Sequence, residues 1–208
     1  VIAHCNNNNK ILIKISKTNE QLTIIKKNFN KLNDNNIENF CKNKLKQNFS
    51  IYINLIGYVD NKSFKKTSLK NLQKIISINA LIPMIILRHV LKKMVKNKYG
   101  RILNGSSIGI KFGGGEKSFN YSLSKHILEF IPSVIKKIAN KNIIINNLRI
   151  GVTNTKIHKR LKRNQTTMRK RISLIPLKRM ASSKEIAEYI CFFISEKNSF
   201  MTNETLNI

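Results

Sequence analysis

Tyr121 and Lys125 stand four residues apart in Tyr121-Ser-Leu-Ser-Lys125, a spacing that places both on one helical face, one turn from each other. A lysine ammonium beside a phenol favours the phenolate and lowers the tyrosine pKa from about 10 towards neutrality. The phenol then works as a general acid or base at physiological pH, an effect typically worth about 10²–10⁴-fold in rate. A serine hydroxyl that could hold the substrate oxygen while the proton moves comes from Ser106-Ser107, at the end of the apolar run Ile102-Leu103. In a lysine-rich chain the bare pair also fits a solvated helix face, so its context has to decide.

The chain has 208 residues, of which 41% are hydrophobic. That suffices for one globular domain with a real core and argues against disorder. Lys+Arg 39 against Asp+Glu 10 gives a net charge of +29. The basic residues are spread along the chain and accompany an excess of Asn and Ile. This pattern fits a compositional bias better than a polyanion site, which clusters charge on one face. No nucleic-acid recognition motif or aromatic platform accompanies the charge, so no specific nucleic-acid partner is expected. Cys5, Cys41 and Cys191 are odd in number and widely spaced; they suggest neither a zinc site nor a disulfide frame, and point to a reducing compartment. The longest apolar run, Ile75 to Leu87, is interrupted by Ser77, Asn79 and Pro83 and is shorter than the roughly 20 residues of a membrane span. With no signal peptide, the expected location is cytoplasmic, without a membrane partner.

These residues must be positioned by strands and helices in alternation. Val1-Ile2-Ala3 reads as a strand ending at His4-Cys5-Asn6, and Leu22 to Lys26 as another. Lys10 to Glu20 fits a strand or a helix. Asp34 is placed to cap a helix through Ile37, Phe40, Cys41 and Leu45. Ser50 to Gly57 is a strand ending in glycine. Thr67 or Ser68 opens a long helix in which Pro83 should cause a kink or mark a locally loosened turn, and which should stop at Tyr99-Gly100. After the strand at Ile102-Leu103-Asn104, a helix from Ser118 to Asn140 should bend at Pro132. Ile143 to Leu148 is a strand, Lys156 to Arg171 a basic helical segment, and a helix from about Ser183 to Ser195 has Ser182 or Ser183 as cap. Thr205 to Ile208 is the last strand. Alternation with apolar strands indicates an α/β fold with a parallel sheet covered on both faces.

In that order the chain resembles the short-chain dehydrogenase/reductase family, classical type, over nearly its whole length. Asn54-Leu-Ile-Gly57 is similar to the family's Asn-Asn-Ala-Gly segment, with Leu and Ile replacing its second Asn and its Ala. Asn79 in Ile78-Asn79-Ala80-Leu81 matches the helix asparagine of the catalytic tetrad. Ser107 matches the catalytic serine, with Ser106 the alternative if the register slips by one, and Tyr121 and Lys125 match the YxxxK pair. Ile150-Gly151-Val-Thr-Asn-Thr155 is similar to the Pro-Gly-x-x-x-Thr turn. Ile175 to Met180 and Glu185-Ile-Ala187 resemble the segment before the last helix. Asn28 falls where the family often carries an Asp near the adenine.

The resemblance implies a Rossmann-like doubly wound fold and hydride transfer between a nicotinamide cofactor, NAD or NADP, and a small-molecule carbonyl or alcohol. A 3-oxoacyl-carrier-protein-reductase-like substrate is one form of it. Tyr121 would protonate the carbonyl oxygen, Lys125 would lower its pKa and bind the nicotinamide ribose, Ser107 would orient the substrate, and Asn79 would hold a proton-passing water. Asn28, Asn54, Gly57, Tyr121, Lys125, Gly151 and Thr155 would touch the cofactor. A homodimer or homotetramer would form through helices 68–96 and 118–139.

The family's TGxxxGxG turn after the first strand has no counterpart here, and Gly113-Gly114-Gly115 does not replace it, because a phosphate cradle needs glycine between a strand and a helix N-terminus. The expectation is therefore a single Rossmann domain, residues 1–208, that lacks the first strand. A gap, or an abnormal pairing, should appear between Val1–Ala3 and Ile51–Leu55. The alternative is a degenerate relative without cofactor chemistry. The basic segment Lys156 to Arg171 lies where the family places its substrate-covering lobe, which fits either a phosphate-bearing or acidic-carrier substrate, read through Lys159, Arg160, Lys162 and Arg163, or the same compositional bias. Cys5, Asn6 and Asn7 leave the choice between NAD and NADP open.

Overall fold

The computed structural model describes residues 1–6, 10–31, 34–160 and 164–208. Asn7, Lys162 and Arg163, named above for cofactor choice and for the charged lobe, lie outside them, as do the side chains of Asp34, Lys159 and Arg160. The chain divides into two compact units, Val1–Gln47 and Asn48–Ile208.

In the first unit β1 (Ile2–Cys5) pairs in parallel with β2 (Thr23–Lys26), Ile2 opposite Thr23. Between them the ambiguous segment is helical, α1 (Lys10–Ser16). α2 (Asp34–Lys44) follows β2 and buries Ile37, Phe40 and Cys41, with Leu45 buried just beyond it, the helical spacing that the sequence carries. Phe29 stacks on the His4 ring at 4.3 Å and meets Phe40 edge-on at 5.7 Å. Burial lowers the His4 pKa, opposed by its hydrogen bond with the Lys27 carbonyl.

The second unit holds a four-stranded parallel sheet in the order β3 (Ile51–Asn54), β4 (Gly100–Ser107), β5 (Ile143–Ile150), β6 (Thr205–Asn207). The strand pairings thus fall into two sheets. On one face of the larger sheet α9 (Ser183–Ile194) packs Ile186, Ile190 and Phe193 against Leu103 and Leu148. Ser182 caps α9 and forms a capping box with Glu185; Arg179 and Ser182 together hold the Glu185 carboxyl down to about 2.

The long helix after β3 is one continuous stack of three segments. α3 (Leu69–Ile76) starts at Ser68, whose hydroxyl accepts from the Asn71 amide in a second capping box. A π-helical turn, Ser77–Leu81, follows, then α4 (Ile82–Asn97). Of the kink or loosened turn expected at Pro83, the structure has the loosened turn: the π-helical turn lies just before it, and Pro83 occupies the first turn of α4, where a missing N–H is tolerated. The stop is Lys98 in left-handed geometry (φ 51°), two residues before the expected glycine. Gly100 instead opens β4, where a β-carbon would stand 2.7 Å from the Met94 sulfur. The whole Leu69–Asn97 stack is long and apolar enough to cross a membrane, contrary to the shorter run expected. Half of its most apolar window is buried inside the protein, and Ile75, Ile78, Ile86, Val90 and Met94 are core residues.

The helix expected over 118–140 is broken, not bent. α5 (Phe119–Leu128) ends before Pro132, and α6 (Ser133–Lys136) restarts after it with a 3-10 turn behind. Proline lacks the donor for the ladder and pushes the residue before it out of the helical region. The basic segment forms α7 (Ile157–Arg160) and α8 (Gln165–Ser173), the latter capped by Asn164.

A row of asparagines crosses the sheet in register. Asn54 donates to Asn104 (3.4 Å), Asn104 to Asn147 (3.1 Å), and Asn147 to Thr205 Oγ1 (3.1 Å) and the Glu129 carbonyl (3.0 Å). All three asparagines are buried. Each amide both donates and accepts, so removing the middle one strands a donor on one side and an acceptor on the other. Asn104→Ala should lower stability by about 2–5 kcal/mol, the cost of two stranded groups, read as a fall in the urea unfolding midpoint; an unchanged midpoint would show that the ladder carries no weight.

Candidate active site

The site is assembled on the short segment from Asn54 to Tyr58, just past the carboxyl end of β3. Asn54 accepts the Ile56 N–H at 3.1 Å. The Ile56 carbonyl accepts from Lys125 Nζ at 2.7 Å. A methyl placed on Gly57 would stand 3.9 Å from the Tyr121 hydroxyl. Tyr58 is held at both backbone groups by Asn79: its N–H donates to Oδ1 (2.7 Å) and its carbonyl accepts from Nδ2 (2.9 Å). Four of the residues singled out in the sequence, Asn54, Asn79, Tyr121 and Lys125, therefore converge on five residues of backbone, which include a fifth, Gly57.

Asn79 is fully buried and lies on the π-helical turn, a local geometry that often marks functional positions. Its amide also donates to Ser124 Oγ at 2.8 Å, and Ser124 donates to the Tyr121 carbonyl at 2.8 Å. Ser124 was not singled out in the sequence, although it sits inside the YxxxK segment, one helical turn beyond Tyr121.

Lys125 projects from α5 into the interior. Its ammonium donates to the Ile56 carbonyl and to the Gly105 carbonyl, each at 2.7 Å, and lies 5.9 Å from the centre of the Tyr121 ring. Burial lowers its pKa to about 7, because a charged group loses its water there. Gly105 has a reason to be glycine: a β-carbon would meet Leu55 Cδ2 at 2.8 Å and the Asn54 carbonyl at 3.1 Å. A side chain there would displace the Leu55 side chain and crowd the backbone at the end of β3.

Strand alternation sends the side chains of Ser106 and Ser107 to opposite faces. Ser106 donates to Glu129 Oε1 at 2.6 Å, on a carboxylate that also takes a two-pronged ion pair from Arg149 (2.8 and 2.6 Å). Ser107 ends β4, where its Oγ accepts the Gly109 N–H at 3.2 Å. A hydroxyl can donate as well as accept, so this bond does not use its proton. After it, Gly113 and Gly114 adopt positive φ (66° and 81°), and a β-carbon on Gly114 would strike Ser122 Oγ at 2.6 Å. The triplet is thus a tight connection into α5. On Gly115 a β-carbon would lie 3.3 Å from the Arg171 guanidinium of α8.

Gly151 follows β5, where a β-carbon would stand 2.8 Å from the Ile208 carbonyl oxygen. Thr155 is exposed in the loop before α7. Asn28 belongs to the first unit, where its Oδ1 accepts the Asn30 N–H at 2.8 Å.

A sequence profile described as Enoyl-(Acyl carrier protein) reductase matches residues 32–208. The chain belongs to the short-chain dehydrogenase/reductase family. It is 33% identical to the 3-oxoacyl-[acyl-carrier-protein] reductase FabG of Buchnera aphidicola subsp. Schizaphis graminum, over 78% of this chain and 66% of that one. Against the same-named protein of Aquifex aeolicus it is 30% identical, over 76% and 63%. An Acinetobacter acetoacetyl-CoA reductase is 32% identical, over 76% and 63%. The matches thus span less than two thirds of these relatives' own lengths. Among solved structures, a 3-oxoacyl (acyl-carrier-protein) reductase from Agrobacterium tumefaciens with NADP bound superposes with a TM-score of 0.85 at 19% identity, over 100% of this chain and 82% of that one. YwfH, an NADPH-dependent reductase of bacilysin biosynthesis, also scores 0.85, at 18% identity. At such identities these two show the fold alone, a Rossmann-like α/β arrangement.

The Lys125 burial has a signed consequence. The folded pKa lies below the ordinary lysine value, so between about pH 7 and pH 10.5 the unfolded chain binds the extra proton, and stability rises with pH. At about 1.4 kcal/mol per pH unit the ceiling is roughly 5 kcal/mol. Wild type should therefore gain on Lys125→Met as pH rises from about 6.5 to about 9.5, measured by denaturant unfolding of both. A difference that stays constant over that range would contradict the lowered Lys125 pKa.

Proposed function

We propose that the chain provides the proton-handling and nicotinamide-facing part of an NAD(P)-dependent oxidoreductase acting between a carbonyl and an alcohol. The observation that carries this reading is the Lys125 ammonium, buried one turn from Tyr121 and pinned between two backbone carbonyls. The family membership and the relatives' names support it.

In this reading Tyr121 delivers the proton to the carbonyl oxygen of the substrate. Lys125 favours the phenolate that remains, because its charge sits in a site with little water to screen it. Ser107 donates to the substrate oxygen from the end of β4. Asn79 keeps the Ile56–Tyr58 backbone in place, so the Lys125 acceptor does not drift, and Ser124 passes that constraint on to the Tyr121 backbone. Position and fixed electrostatics are what a protein adds to cofactor chemistry.

The residues present fit the nicotinamide–ribose end of such a cofactor, which when bound supplies the hydride. An ammonium has three protons, and two of those on Lys125 go to carbonyls, which leaves one for a ribose hydroxyl. Asn54, Gly57, Gly151 and Thr155 would hold the nicotinamide side. NAD and NADP both remain compatible with these residues.

The relatives' names favour a 3-oxoacyl thioester as substrate, and the Arg171 guanidinium lies beside the glycine triplet that leads into α5. Self-association would use the groove between α4 and α6, where Pro83, Met84, Leu87 and Leu91 face exposed Phe130 and Val134. A reducing cytoplasmic compartment suits three cysteines that form no disulfide among the described residues.

The test is oxidation of NADPH, and separately of NADH, with acetoacetyl-CoA. Tyr121→Phe should lower turnover by about 10²–10⁴-fold, the usual worth of a general acid, while the unfolding midpoint stays near wild type. Wild-type turnover no faster than that of Tyr121→Phe would overturn the reading.

A further inference from the structure

Tyr121 has to be held still, yet the segment leading into its helix is poorly anchored. Three glycines precede it, two of them at positive φ. Ser118, the residue before α5, makes no side-chain cap, because its hydroxyl is bonded to Gly115 instead. Something other than a cap must therefore fix the first turn.

The residue immediately before Tyr121 supplies it. Asn120 is fully buried, and both ends of its amide are occupied. Its Nδ2 donates to Asp60 Oδ2 at 2.7 Å, and its Oδ1 accepts from the Thr67 hydroxyl at 3.0 Å. Both partners lie on loop 58–67, which is itself pinned. Tyr58 is held by Asn79, and Asp60 Oδ1 accepts the Lys62 N–H. Phe64 packs edge-on against Phe119 at 4.9 Å between ring centres. The Asn120–Asp60 bond is the charge-assisted one, and such bonds are roughly twice as strong as neutral ones.

We propose that Asp60 and Asn120 are positioning residues for Tyr121: the loop after β3 acts as a strap that sets where the first turn of α5 presents its phenol. The bond needs an amide opposite a carboxylate, and the Asn120 amide donates to Asp60 while it accepts from Thr67. The proposal rests on the oxidoreductase reading for its catalytic consequence and on the geometry alone for its effect on the phenol.

Two measurements test it. In the turnover assay Asp60→Ala and Asn120→Asp should each lower kcat by about 10–100-fold, the scale of a misplaced reacting group, with the cofactor KM little changed. The swap Asp60→Asn with Asn120→Asp restores an amide-to-carboxylate bond with its polarity reversed, and should regain most of the loss. The second measurement needs no cofactor. The Tyr121 phenol is titrated by phenolate absorbance, isolated by subtracting the same titration in Tyr121→Phe. Removing the Asp60 charge through space alone would ease ionisation and lower the Tyr121 pKa. Loss of position relative to Lys125 would raise it, so Asp60→Ala should shift it up. A downward or absent shift, or a swap no better than Asn120→Asp alone, overturns the proposal. Wild-type inactivity in the turnover assay would strike the oxidoreductase reading, while the titration would still decide the positioning role.

Discussion

A lysine ammonium buried between two backbone carbonyls is the constraint on which the rest of the larger unit depends. A cation taken out of water is tolerated only where its protons find acceptors, and the acceptors here are the carbonyls of Ile56 and Gly105. They belong to the ends of neighbouring parallel strands, so the ammonium stays satisfied only while those ends stay together. Gly105 lets them approach, Asn54 turns the chain after β3, and Asn79 reaches across from the π-helical turn to hold Tyr58. The location follows a general rule of open parallel sheets, in which ligands bind beyond the carboxyl ends of the strands.

Much of this was legible in the sequence because it rests on spacing. The four-residue step from Tyr121 to Lys125, the alternation that separates Ser106 from Ser107, and the strand-helix order all survive translation into three dimensions. So does the capping-box pattern at Ser182 and Glu185. Pro132 shows where spacing stops being enough. The apolar pattern runs on through it, and only the competition between that pattern and the missing donor decides whether a helix bends or breaks. Here it breaks.

The other unread features depend on partners distant in sequence. Nothing local marks Asn120 as the partner of Asp60, sixty residues away, or Glu129 as the meeting point of Ser106 and Arg149. The surplus asparagine read as compositional bias, but in Asn54, Asn104 and Asn147 three of these residues do structural work, side by side in one register.

That ladder has a chemical consequence for the ageing of the molecule. Asn104 is followed by Gly105, the pair in which an unhindered glycine nitrogen most readily attacks the asparagine side chain to close a succinimide and release ammonia. In the folded chain the Asn104 amide is engaged on both sides, by Asn54 and Asn147, and the extended backbone of β4 keeps it from folding back on the next nitrogen. The fold thus shields its own weakest covalent link, and damage there would record how long a molecule had spent unfolded.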